Sequence, residues 1–229
     1  MNTSKYPIVL AVMLSSFATC VAFANPSHAA LSPSMAMAMA PAAANTAAAP
    51  VAAPKLQAAL RALWHGHIVH TREYAIAVHA KQAKQAASAA DAVVANAKQI
   101  SAAIAGFYGK PAGDKMLELL AGHWGGVKAL TDARFANDQA GQDKAMATLV
   151  TNGHDISKFL AGANPNLPED ALNALLAGHV GHHQAQIQQI MTGDTKGEQA
   201  TWEAMQAHMD TLADALAGGI AKQFPAKAN

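Results

Sequence analysis

Eleven histidines stand in a chain of 229 residues in which only 14% of side chains are Asp, Glu, Lys or Arg. Three of them, His67, His123 and His179, follow one another at intervals of 56 residues. Others stand close in sequence: His70 at i+3 from His67, and His182 and His183 at i+3 and i+4 from His179. Neutral imidazole is the common protein ligand for Zn and Cu, and an i, i+4 pair points two donors from one helical face. The spacing therefore predicts a transition-metal site, Cu or Zn, with His67, His123, His179 and His208 as core ligands. His183, His70 and His182 are expected to add capacity. Asn96 and Asn152 are expected beside that layer, with Asp155 at the edge of its helix stripe as a group that could orient a histidine.

Other chemistries fit less well. Cys20 is the sole cysteine, so the mature part has no thiolate ligand and no disulfide. There is no H-E-x-x-H signature, no phosphate loop and no evident nucleophile–base pair, so nothing in the sequence argues for an enzyme. Di-iron carboxylate bundles need paired core glutamates, and only Glu73 and Glu118 are candidates, neither of which recurs. A hemerythrin-like centre would need His-x3-Glu, where His123 is followed by Val127. Two readings remain beside the metal. In one, the histidines form an internal hydrogen-bonded layer with Asn, Thr71, Tyr74 or water, in a non-catalytic interaction module. In the other, a noncovalent haem lies in a slot opened by Gly122, Gly125, Gly126, Gly178 and Gly181.

These residues need helices to position them. From Lys55 onward Ala, Leu, Gln and Lys dominate, and apolar residues recur at steps of four and three. Breakers at Gly109-Lys110-Pro111, Asn137 to Gly141, Asn164-Pro165-Asn166 and Gly193-Asp194, with a softer break near Ser88 to Asp91, give six helices. Their expected spans are about 56–86, 89–108, 112–136, 142–163, 168–192 and 197–222. Leu119-Leu120-Ala121-Gly122-His123 recurs as Leu175-Leu176-Ala177-Gly178-His179, and Asn96, Ile100-Ser101 and Ala105-Gly106 recur at the same offset as Asn152, Ile156-Ser157 and Ala161-Gly162. The expected fold is all-α: a six-helix bundle of three repeated helical hairpins with a period of 56 residues.

At about 100° per residue, His67, His123 and His179 fall on the apolar stripe of the first helix of each hairpin. Asn96, Asn152 and His208 fall near the stripe of each second helix, at about the same height from the turns. His65, His79 and His154 point away and are expected to face solvent.

The first 24 residues read as a secretory signal: Lys5, an apolar run from Ile8 to Ala22, and Ala22-Phe23-Ala24 before the cleavage point. The run is too short for a convincing membrane span. Residues 25–54 are Ala, Pro, Ser and Met without apolar periodicity, as expected of a tether. Within it Met35, Met37 and Met39, with His28 upstream, offer soft thioethers that could take Cu(I). Beyond Lys5 the chain carries fifteen basic and fifteen acidic side chains. That balance argues against nucleic acid or an anionic membrane surface as partner. The expected domain is 55–225, and the expected location is the periplasm or outside the cell.

Leu63-Trp64-x2-His67 with Thr71-Arg72, Ala163-Asn164-Pro165-Asn166, and Gly219-Ile220-Ala221-Lys222-Gln223-Phe224-Pro225 resemble a family of uncharacterised exported bacterial all-helical proteins. The resemblance spans Leu56 to Pro225. It implies a secreted helical domain with histidines at His67, His123, His179 and His208 and an acid at Asp155, and implies no chemistry. This chain is richer in histidine than that pattern, at His65, His70, His154, His182 and His183.

Overall fold

A computed structural model describes residues 53–228. The expected signal with Cys20, and His28, Met35, Met37 and Met39 of the expected tether, lie outside the described residues. Six α-helices follow in order: α1 (Pro54–His79), α2 (Ala83–Tyr108), α3 (Lys110–Phe135), α4 (Gln139–Ala163), α5 (Glu169–Thr192) and α6 (Thr195–Gln223). Among the described residues no helix is long and apolar enough to cross a membrane.

The helix ends repeat as the sequence does. Pro54 and Pro111 stand in the first turns of α1 and α3, where a missing N–H costs nothing. Asp138 and Asp194 cap α4 and α6 by accepting from the N–H groups of Gly141 and Gly197 at 3.0 and 2.9 Å. Each odd helix ends on one residue of positive φ: Lys81 (58°), Asn137 (55°) and Gly193 (73°). The next N–H then bonds back five residues, from Gln82 to the Ala77 carbonyl, from Asp138 to Ala133 and from Asp194 to Gln189, each at 2.9 Å.

The first turn departs from expectation. α1 ends at His79 and Ser88 and Asp91 lie inside α2, whereas the break was expected between 86 and 89. The physical reason is that Lys81, no helix breaker by propensity, is held in the left-handed region by the same closing bonds that Asn137 and Gly193 make.

Each helix packs on its chain neighbours, α6 closes on α1, and α1, α3 and α5 also touch one another. The odd helices thus form an inner trio, with the even helices set against the clefts between them. Buried triplets run along the trio: Leu60, Met116 and Leu172; then Trp64, Leu120 and Leu176; then His67, His123 and His179. Beyond the histidines come Thr71, Val127 and His183, then Tyr74, Leu130 and Gln186. Apolar residues form two large clusters, one containing Trp64, Leu120 and Leu176 and the other containing Tyr74, Val127 and Leu130. The histidines lie between those clusters. At the ends Ala53 and Ala228 are buried against Ala221, so packing extends slightly past the expected span of 55–225.

Candidate metal centre

His67 comes from α1, His123 from α3, and His179 and His183 from α5. Each is at most 3% exposed. The rings of the first three form a nearly equilateral triangle, with centroids 5.7, 5.6 and 5.4 Å apart. His183 stands one turn further along α5, 5.8 Å from His67 and from His123 and 4.3 Å from His179. The result is a pyramid, with three rings from equivalent positions and a fourth above them. One ring nitrogen from each histidine can be chosen so that all four lie within 4.8 Å of one another.

A tetrahedral ion with bonds of 2.0–2.1 Å needs donors about 3.3 Å apart. His179 Nε2 and His183 Nε2 already stand 3.0 Å apart. Small side-chain rotations would draw the remaining nitrogens inward.

The electrostatics favour neutral rings. Burial, reinforced by the neighbouring histidines, pushes His67 down to about 3 from 6.5. Burial pushes His123 down to about 4, with the Asn152 amide acting weakly the other way. His179 and His183 are held well below the usual range by burial and by the other rings. All four therefore present lone pairs at neutral pH.

Those lone pairs are poorly used within the protein. His67 Nε2, both nitrogens of His123 and His179 Nδ1 are buried without a hydrogen-bond partner. A buried polar atom left this way costs about 1–3 kcal/mol. Of the partners that an internal hydrogen-bonded layer would need, Thr71 and Tyr74 are engaged elsewhere, while Asn96 Oδ1 and Asn152 Oδ1 are buried without a hydrogen-bond partner of their own. Thr71 Oγ1 donates to the carbonyls of His67 and Ile68 on its own helix, and Tyr74 Oη donates to Asp132 at 2.7 Å.

Other expected site residues lie outside this group. Asn96, Asn152 and His208 each clamp the second helix of a hairpin to its first. Asn96 Nδ2 donates to the Leu63 carbonyl at 2.9 Å, Asn152 Nδ2 to Leu119 at 3.0 Å, and His208 Nε2 to Leu175 at 2.7 Å. Gly66, Gly122 and Gly178 make this approach possible, since a Cβ there would meet the clamping side chain at 2.8, 3.1 and 2.9 Å. Only Asn152 also bears on a ligand, His123. His208, expected as a core ligand, is thus bound to a carbonyl on the flank of the bundle. His70 is half-buried with Nδ1 2.9 Å from Glu73 Oε2, and half-buried His182 lies beside His208, with ring centroids 5.2 Å apart and the rings tilted at 60°.

Asp155 is exposed and orients no ligand. His79 and His154 are exposed as expected, but His65 is half-buried, with Nε2 2.9 Å from Asp210. Glu73 and Glu118 are exposed and bring no carboxylate to the core. Where a haem slot is expected, Asn152 and His208 approach Gly122 and Gly178 and Leu149 approaches Gly126, while the open groove lined by Gly122, Gly125 and Gly126 carries no histidine.

One buried polar group was not anticipated. Glu198 of α6 accepts from Arg72 of α1 at 2.7 and 2.8 Å and from Gln186 of α5 at 2.9 Å. Arg72 also lies over the Trp202 ring at 5.0 Å. This network ties α1, α5 and α6 just beyond the histidines. Gln186 was the available signal, a polar residue at i+3 from His183 on the same apolar stripe.

Compared with models of protein families, with curated proteins and with solved structures, the chain matches none of them.

Proposed function

We propose that this protein is exported and binds one transition-metal ion, Cu or Zn, through His67, His123, His179 and His183, for sequestration or delivery. The observation that carries the reading is the convergence of four buried neutral imidazoles whose lone pairs the protein leaves largely unpaired. An ion at their centre would take up one nitrogen of each ring. Four protein donors fill a tetrahedral shell, leaving no position for water or substrate, which supports holding an ion over catalysis with it.

The donor set also bears on the choice of ion. No carboxylate joins the group, so the ion's whole charge remains in the core. The desolvation cost grows as the square of that charge, so for ions of similar size Cu(I) costs about a quarter of what a dication does. Zn(II) has the stronger demand for four tetrahedral nitrogen donors.

The test uses the mature protein without a polyhistidine tag, titrated separately with Zn(II), Cu(I) and Co(II). The expected result is one tightly held ion per chain, a tetrahedral Co(II) spectrum and a raised melting temperature, all lost in His123→Leu. Absence of both retained metal and a melting shift overturns the reading, as does His123→Leu binding like the parent.

A further inference from the structure

Resting on that reading, we infer that His182 and His208 form a second metal position, on the α5–α6 flank, through which the buried centre is loaded and emptied. The departure of the third hairpin from its two sisters points there. Where Asn96 and Asn152 clamp the first two hairpins, the third has His208. The clamp needs only an N–H donor, and Asn provides one.

Histidine brings something more. The Leu175 carbonyl can only accept, so His208 Nε2 carries the proton and the neutral ring keeps a lone pair on Nδ1. His182, 5.2 Å away between ring centroids, stands where the second hairpin has Gly126. The first hairpin's counterpart, His70, is engaged by Glu73. Only the third hairpin therefore pairs two imidazoles at this place.

Both rings are half-buried and can meet a hydrated ion, whereas His179 and His183 are each 1% exposed. His182 adjoins His183 in sequence and lies one turn from His179, so an ion can pass between donors of one helix. Two imidazoles, with water completing the shell, make a weak position for a borderline d-block cation. Weak binding is what an exchange position needs.

The experiment measures uptake of Co(II) by the metal-free protein in stopped flow, and release to excess chelator. His208→Asn is the main variant because Asn96 and Asn152 show that Asn preserves the clamp; His182→Gln is the second. Both uptake and release are expected to slow by about tenfold or more, with the equilibrium affinity nearly unchanged because the two rates fall together. Unchanged rates in both variants overturn the exchange position while leaving the buried centre standing. Lost affinity at unchanged uptake makes these residues ligands of the buried ion and also overturns it. A parent protein that takes up none of Co(II), Zn(II) and Cu(I) overturns both readings.

Discussion

Acidifying the metal-free protein should unfold it in a range where the ion-paired Glu198 and Asp214 are still charged. His67 and His123 carry folded-state values of about 3 and about 4 against 6.5 for the free ring. Between 6.5 and those values the unfolded chain binds protons that the buried rings refuse. Stability therefore rises with pH across that window and is lost as pH falls through it. At about pH 5 each of these two rings costs about 2 kcal/mol, from a unit of pKa being worth 1.36 kcal/mol, or about 4 kcal/mol together. His179 and His183 act in the same direction. A domain stable by about 5–15 kcal/mol is then close to its limit. The ion-paired Glu198 and Asp214 are held below their usual values by Arg72 and Arg61, so they remain charged at that pH. Urea unfolding with chelator present, at about pH 7.5 and about pH 5, should show a midpoint that falls steeply at constant slope. Equal midpoints at the two pH values would refute the assignment of four neutral rings to one buried group.

Further predictions concern the fourth ligand and the first turn. His183→Val installs the residue found at the equivalent Val127, so the fold should survive, but metal affinity should fall by more than about 100-fold, given that loss of even an outer-shell partner costs 10–100-fold. Calorimetric titration showing parent-like affinity would remove His183 from the site. Lys81→Gly relieves a left-handed residue at φ 58° and should stabilise the protein by roughly 1 kcal/mol, read as a higher urea midpoint. A lower midpoint would mean that the Lys81 side chain, not the turn geometry, sets that connection.

Much of the fold was legible because one pattern recurs. Three arguments from sequence reached only part way, for different reasons. The first turn carries no Gly, Pro or Asn, so propensity passed over it; carrying the positions of Gly193 and Asn137 back by 56 residues would have found Lys81. His208 lay near the right helical direction and at the right height, and on those grounds joined the ligands. A wheel projection does not show that Gly178 opens the neighbouring backbone, letting the ring settle on the Leu175 carbonyl. The legible signal was the pair of small and polar residues together: Gly66-His67, Gly122-His123 and Gly178-His179 each place a glycine beside a ligand, facing Asn96, Asn152 and His208. Asp155 failed for a simpler reason, since a stripe's edge can fall on either side of the solvent boundary.

A repeated hairpin explains why the cluster has three histidines of one kind and a fourth of another. Helices related by equivalent sequence bring equivalent positions to one level, so a histidine at that position arrives three times. A fourth donor near the same point cannot obey the repeat, because its copies would crowd the core with two more rings. His183 has Thr71 and Val127 as its counterparts, one back-bonded to its helix and the other apolar. Those choices keep the level above the triangle closed except where the fourth ligand enters. With Trp64, Leu120 and Leu176 on the other side, the ion would be enclosed along the trio in both directions. Exchange of such an ion would then have to proceed laterally, past the hairpin that supplies two of the four histidines, and displacement of α5 would withdraw both at once.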